Sequence, residues 1–126
     1  HMDDRNLIAV AEQAAGTSKV LRSPIAGCTV RGPGAVVFRG CRLEFDDPSL
    51  DLDPVANALA AARVEGMVQV ERVGFYSPTG GALPTIPRAT LLRLKEVAVS
   101  DDLVVIFSPG TGERVERTLL ELLAEA

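Results

Sequence analysis

The residues with the clearest capacity for chemistry form a glycine-containing segment, Ser108-Pro109-Gly110-Thr111-Gly112. An apolar run at residues 104–107 precedes it, and an amphipathic pattern follows it. A glycine loop between a strand and a helix can direct backbone amides at an anion, because the first helical turn leaves amide donors free. A phosphate-binding loop needs a Lys followed by Ser or Thr, whereas Glu113 and Arg114 stand here. A turn followed by a helix cap is therefore the simpler interpretation.

The ligand that this loop would hold is an anionic small molecule. Its candidate contacts are Ser108, Gly110, Thr111 and Gly112, with Arg22 or Arg31 as a nearby cation. A regulatory domain with such a site is the second functional hypothesis, after an assembly module.

Histidine chemistry is excluded by composition. The chain has one histidine, His1, and the pair His1-Met2 is typical of an expression-tag remnant. Without a second histidine there is no Ser/His/Asp triad and no Cys/His nucleophile pair. Two cysteines are too few for a structural zinc site, so we expect no metal and no cofactor. An enzyme is disfavoured, although a histidine-free enzyme that uses carboxylates or a thiol stays open.

The two cysteines, Cys28 and Cys41, occur in similar surroundings, Gly-Cys-Thr-Val and Gly-Cys-Arg-Leu. A hairpin or a solenoid would place them side by side, where they could form a redox pair. Neither has a nearby histidine or helix start to lower its pKa, so inert core thiols are favoured.

Carboxylates are numerous but give no distinctive pattern. Asp46, Asp47, Asp51 and Asp53 lack the central Gly and closing Glu of a calcium-binding loop. Turn formation around Pro48 and helix capping by Asp53 explain most of them.

Charge is unevenly distributed along the chain. Residues 17–45 carry a net charge of +4 and the rest carries −8, against −4 for the whole. A basic sheet surface could meet an acidic partner. With no Trp, one Tyr and four Phe, the chain lacks the stacking residues of a nucleic-acid domain, so no nucleic acid is expected as a partner.

Three helices are predicted. The first spans residues 3–15, with Gly16 as a left-handed cap, and the second begins at Asp53-Pro54. The third, residues 113–126, carries an apolar stripe on which Leu119, Leu122 and Leu123 are the candidate subunit interface.

Strands are predicted between these helices. Short runs at residues 35–38 and 41–45, alternation at residues 64–75 and 92–99, and the apolar run at 103–107 indicate a small sheet. We predict one α+β domain over residues 3–126, with a β-rich core built on a mostly antiparallel sheet. The two similar Gly-Cys segments indicate an internal repeat, so a three-rung β-solenoid capped by helices is the alternative.

A non-catalytic binding or assembly module is the leading functional hypothesis. At 47% hydrophobic residues and without an apolar run long enough to cross a bilayer, the chain is expected to be a soluble, bacterial, cytoplasmic protein away from membranes. Its partner would be another protein or a second copy of itself in a homo-oligomer.

Overall fold

The structure is a computed structural model that describes residues 3–126; His1 and Met2, and with them the predicted tag remnant, lie outside the described residues. Four helices are present: α1 (Asp4–Ala15), α2 (Pro54–Val64), α3 (Arg88–Val97) and α4 (Leu119–Glu125). Five strands are present: β1 (Gly27–Arg31), β2 (Val37–Cys41), β3 (Arg72–Tyr76), β4 (Val104–Ser108) and β5 (Val115–Thr118). The α+β class is confirmed.

The strands form one mixed sheet in the order β2-β1-β3-β4-β5. The pair β3–β4 is parallel, with α3 in the crossover between the two strands, and the other three pairs are antiparallel. The solenoid alternative is wrong. The two Gly-Cys segments pair antiparallel, Cys28 opposite Gly40 and Gly27 opposite Cys41, and do not stack as parallel rungs.

Helices α1 and α2 cover opposite faces of this sheet. A Cβ at Gly27 would lie 2.0 Å from the Ala11 carbonyl oxygen of α1. A Cβ at Gly40 would lie 2.3 Å from the Ala58 nitrogen of α2. Residues directly opposite each other in a sheet share a face. Cys28, opposite Gly40, therefore lies on the α2 face, and Cys41, opposite Gly27, lies on the α1 face.

The larger core lies on the α2 face. Strand side chains there meet residues of α2, α3 and α4, and the buried set includes Val30, Val55, Phe75, Leu94, Phe107 and Leu119. The rings of Phe75 and Phe107, neighbours across the parallel pair, have centroids 5.6 Å apart. This packing fixes the start of α2 relative to α3.

The predicted starts of the first two helices are confirmed, and Asp3 and Asp53 act as their N-caps. Gly16 is the C-cap of α1, as predicted, but its predicted left-handed conformation is wrong, because its φ is −63° and its ψ is −16°. The predicted helix 113–126 is too long. Residues Val115–Thr118 extend the sheet as β5, and the capping box of Thr118 and Glu121 starts α4 only afterwards.

The strand predicted at residues 92–99 is also wrong, because Arg88–Val97 is helix α3. The buried residues Leu91 and Leu94 follow a helical spacing of three, whereas the prediction rested on a two-residue alternation of neighbouring apolar residues. The alternation at residues 64–70 likewise lies outside the sheet, and Val64 is 83% exposed.

Candidate functional site

A surface cleft of about 390 Å³ lies where the start of α2 meets the segment before α3. Its lining combines three carboxylates and one arginine with apolar and hydroxyl side chains: Ser23, Arg42, Glu44, Pro48, Asp51, Leu52, Asp53, Thr85, Ile86 and Pro87. Because ionised carboxylates only accept hydrogen bonds, the cleft suits a ligand rich in hydroxyl or amino donors.

Glu44 is the distinctive residue of this cleft, because it is only 2% exposed. Its Oε1 accepts backbone amides from Leu21 at 2.6 Å, Arg22 at 2.8 Å and Ser23 at 3.2 Å. Hydrogen bonds from the Ser23 hydroxyl and from these amides lower the pKa of Glu44 to about 2. Buried ionised side chains are rare, and one lining a cleft is a candidate for function.

Arg22 is held by the same carboxylates. Its Nη1 lies 2.8 Å from Oδ2 of Asp51 and 3.4 Å from Oε2 of Glu44. Asp51 also accepts the Phe45 amide at 2.9 Å, and this bond, followed by that from Arg22, lowers the pKa of Asp51. Arg22 therefore neutralises carboxylates of the cleft. It had been predicted near the loop at residues 108–112, but it does not line the cavity that contains Ser108 and Gly110.

Asp53 connects the cleft to two helices. Its Oδ1 caps α2 by accepting the amides of Val55 and Ala56, each at 3.0 Å. Its Oδ2 accepts the hydroxyl of Thr90 on α3 at 2.8 Å, and that hydroxyl accepts Arg93 Nη1 at 2.8 Å. These hydrogen bonds fix the Asp53 carboxylate at the N-terminus of α2.

Asp47, another member of the acidic cluster, has the turn-forming role that the sequence predicts. Asp47 accepts the Ser49 amide and caps the short 3₁₀ turn Pro48–Leu50. No cluster of three or more His, Cys, Asp or Glu suited to a metal ion occurs within residues 3–126.

The cysteines lie on opposite sheet faces and do not form a pair. Cys28 is fully buried, and burial, followed by the charge of Asp53, raises the pKa of its thiol well above the usual value. Cys41 is partly exposed, with its Sγ 3.7 Å from the Thr17 carbonyl oxygen. A buried thiol with a raised pKa is a poor nucleophile.

The loop at residues 108–112 lies at the opposite end of the sheet from Arg31. Ser108 is level with Tyr76 and Gly27, whereas Arg31 is level with Arg72 and Val104. Since β5 follows the loop, no helix start stands behind it and the amide argument loses its basis. Ser108, Gly110 and Gly112 line one cavity, whose lining does not include Thr111, Arg22 or Arg31. Arg31 lines a neighbouring cavity.

The predicted interface residues of the last helix pack inside the chain itself. Leu119 is fully buried and Leu122 is 8% exposed, while Leu123 packs against the same core. They are therefore occupied by the core on the α2 face.

Sequence reasoning missed Glu44 and assigned Asp53 only a capping role. The available signal was that Glu44 is the one acid among the basic residues of segment 17–45. The amides that surround it come from a segment about twenty residues earlier, so the local pattern does not show them.

No protein-family model matches the chain, and no curated protein matches its sequence. Among solved structures, cytidine deaminase from Burkholderia pseudomallei superposes with a TM-score of 0.87 at 19% identity, over 99% of both chains. Cytidine deaminase from Mycobacterium tuberculosis gives 0.80 at 23% identity, over 100% of this chain and 98% of the other. That from Mycobacterium leprae gives 0.79 at 18% identity, over 98% of both.

The chain therefore has the fold of cytidine deaminases. This finding overturns the leading hypothesis of a non-catalytic assembly module, with its keyword of protein–protein interaction, because the neighbours are cytidine deaminases, which are enzymes. None of the described helices is both long and apolar enough to cross a membrane.

Zinc does not fit this chain. Zinc-dependent nucleobase deaminases hold the metal with His and two Cys, or three Cys, in an H-x-E and P-C-x-x-C pattern. Here Pro84 and Pro87 are followed by Thr85 and Arg88, and no cysteine lies beyond Cys41. Cys28 and Cys41 face opposite sides of the sheet and cannot share one ion.

Proposed function

We propose that the cleft around Glu44 binds a nucleoside-class small molecule, and that it does so without zinc. The observation that carries this proposal is a buried carboxylate, ionised at neutral pH, that lines a cleft in a fold shared with cytidine deaminases. The segments that position Glu44 are themselves held by Arg22 and Asp51, so the acceptor is preorganised.

The charges of the cleft favour a neutral ligand over an anionic one. Glu44, Asp51 and Asp53 contribute carboxylates, and Arg22 pairs with two of them. Arg42 donates to the Pro24 carbonyl at 2.7 Å. Ribose hydroxyls and an exocyclic amino group are donors that match such acceptors, whereas a 5′-phosphate would be repelled.

The apolar part of the lining suits the flat faces of a base. Pro48, Leu52, Ile86 and Pro87 lie around the same cavity as the carboxylates. Small-molecule sites commonly combine such apolar walls with a few placed polar groups.

A second candidate function is carboxylate-based catalysis on the same ligand, because Glu44 and Asp53 line one cavity. Glu44, with a pKa of about 2, would act as a fixed negative charge and not as a general acid at neutral pH. Asp53 would then be the proton-transferring group. The buried Cys28 thiol is unsuited to nucleophilic attack.

Calorimetric titration of chelator-treated protein with cytidine tests the proposal. We expect saturable binding of cytidine, with cytidine 5′-monophosphate binding more weakly. Leu52→Arg places a bulky side chain in the cleft from a residue that is 45% exposed, and it should abolish binding. Leu50→Arg, at a 58% exposed position outside the lining, is the matched control.

Equal binding by both arginine variants, or none by the wild type, would contradict the proposal. Product analysis of the same mixtures by mass spectrometry tests the second candidate. Uridine formation lost in Asp53→Asn, which keeps a good helix cap, would support carboxylate catalysis. Binding without any product would exclude it for cytidine.

A further inference from the structure

A groove on the α1 face of the sheet carries a second site, separate from the cleft around Glu44. Two cavities, of about 610 and 390 Å³, adjoin there and share Arg5 and Arg114 in their linings. The second cavity also contains Tyr76, Ser108 and Gly110. None of the residues that line the cleft around Glu44 lines either cavity.

The two shared arginines differ from their neighbour Arg72. Arg72 is held by Asp4, at 2.7 and 2.8 Å, and by Glu116 at 3.1 Å. Across the described part of the chain, neither Arg5 nor Arg114 makes an ion pair or a side-chain hydrogen bond. In each cavity the lining arginines outnumber the lining acids, which are Asp3 and Asp4 in the first and Glu12 in the second. The net positive charge attracts an anion.

The position of Arg5 adds to this imbalance. It lies in the first turn of α1, where the helix dipole is positive and a cation is unfavourable. Of the nearby acids, Asp3 caps α1 and Asp4 pairs with Arg72, whereas Glu12, about two turns along the helix, lines the cavity that contains Ser108. An anion beside Arg5 would offset the repulsion between the Arg5 cation and the positive end of the α1 dipole.

Ser108 supplies a neutral donor in the same groove. It is 6% exposed, and its hydroxyl has no hydrogen-bond partner among residues 3–126. It lies directly opposite Tyr76 in the parallel pair, and both residues line the cavity. The loop after Ser108 turns at Gly110, whose φ is +83°, and leads back to Arg114, the residue before β5.

We propose that this groove binds a phosphate-bearing anion through Arg5 and Arg114, with the hydroxyl of Ser108 as a further donor. Guanidinium groups match phosphate oxygens with paired donors, and a hydroxyl completes the coordination of a tetrahedral oxyanion. The loop at residues 108–112 is thus an anion site because of side chains that converge on it, and not because of a helix start.

Titration with inorganic phosphate, followed by calorimetry at low salt, tests the site. We expect saturable binding that Arg5→Gln and Arg114→Gln each weaken by roughly tenfold or more, as expected for loss of a charged hydrogen bond. Ser108→Ala should weaken it less. Arg39→Gln removes the same charge from an exposed position on β2 and should leave the affinity within about twofold.

Equal weakening by Arg39→Gln would show a general charge effect and overturn the proposal, as would absence of saturable binding by the wild type. Cytidine titration of the Arg5 and Arg114 variants separates this site from the cleft around Glu44. Retained cytidine affinity with lost phosphate affinity supports two sites. Parallel loss of both ligands would contradict a separate anion site.

Discussion

At the scale of single residues, the Glu44 carboxylate holds the cleft together by accepting hydrogen bonds from the backbone amides of residues 21–23. The carboxylate gains these hydrogen bonds only in the folded chain, where its pKa falls from 4.5 to about 2. A depressed folded pKa stabilises the fold fully above the unfolded value, and the contribution disappears as pH falls towards the folded value.

We therefore predict an acid-induced loss of stability between about pH 4.5 and pH 2 that depends on Glu44. Glu44→Gln should lower the thermal midpoint at pH 7 and flatten its dependence on pH in this window. Glu96→Gln, at an exposed site on α3, is the matched control. If the midpoint of Glu44→Gln fell as steeply as that of the wild type, the carboxylate would not be the group responsible.

The two thiols should react differently. Cys28 is fully buried with a raised pKa, whereas Cys41 is partly exposed. We expect a thiol reagent to label Cys41 quickly under native conditions and Cys28 at least about 100-fold more slowly, since Cys28 becomes accessible only on opening of the fold. Peptide mapping after timed labelling measures both rates. Equal rates would contradict the placement of Cys28 inside the α2 face.

At the scale of elements, close backbone approaches set the distance between α2 and the sheet. A Cβ at Gly40 would lie 2.3 Å from the Ala58 nitrogen and 2.6 Å from the Pro54 carbonyl oxygen. Gly40→Ala should therefore force α2 outward and destabilise the protein by about 2 kcal/mol or more. Because α2 begins at the cleft, the variant should also weaken ligand binding.

Gly16→Ala is the matched control for this prediction. Gly16 has ordinary right-handed backbone angles, and the nearest atom to its Cβ position is the Gln13 carbonyl oxygen at 3.3 Å. Denaturant unfolding should show little change for this variant. Similar losses at Gly40 and Gly16 would contradict the account of helix–sheet contact.

The elements differ in how far sequence alone specified them. Asp53-Pro54 marks a helix start through local hydrogen bonding, and the apolar residues of β4 indicate a buried strand, so both were predictable. Strand β5 was not predictable from sequence, because its strand conformation depends on pairing with β4. The helical spacing of apolar residues also continues through Val115–Thr118. The crossover helix α3 was missed because its leucines also satisfy an alternating pattern over short stretches.

The candidate site was predictable only in fragments, for a related reason. Its groups come from three separated segments, the amides of residues 21–23, the carboxylate of Glu44 and the start of α2. Their meeting depends on the antiparallel pairing that folds residues 27–41 into a hairpin. Composition alone shows that the chain has too few histidines and cysteines for the usual zinc ligands.

At the scale of the whole molecule, the chain has the fold of cytidine deaminases, and residues 3–126 contain no donor set for zinc. The stability of the chain should therefore be independent of zinc. We predict that a chelator leaves the thermal midpoint unchanged and that purified protein contains zinc far below one ion per chain, as measured by atomic emission. Stoichiometric zinc, or a fall in the midpoint on chelation, would contradict this expectation.

The most direct test of the central claim is an amide chemical-shift titration of chelator-treated, labelled protein with cytidine. Binding in the cleft around Glu44 predicts the largest shifts at the amides of Leu21, Arg22 and Ser23 and at the α2 start, Val55 and Ala56. It also predicts small shifts for Arg5 and Arg114 on the α1 face. An unchanged spectrum, or shifts centred on that groove, would contradict the account.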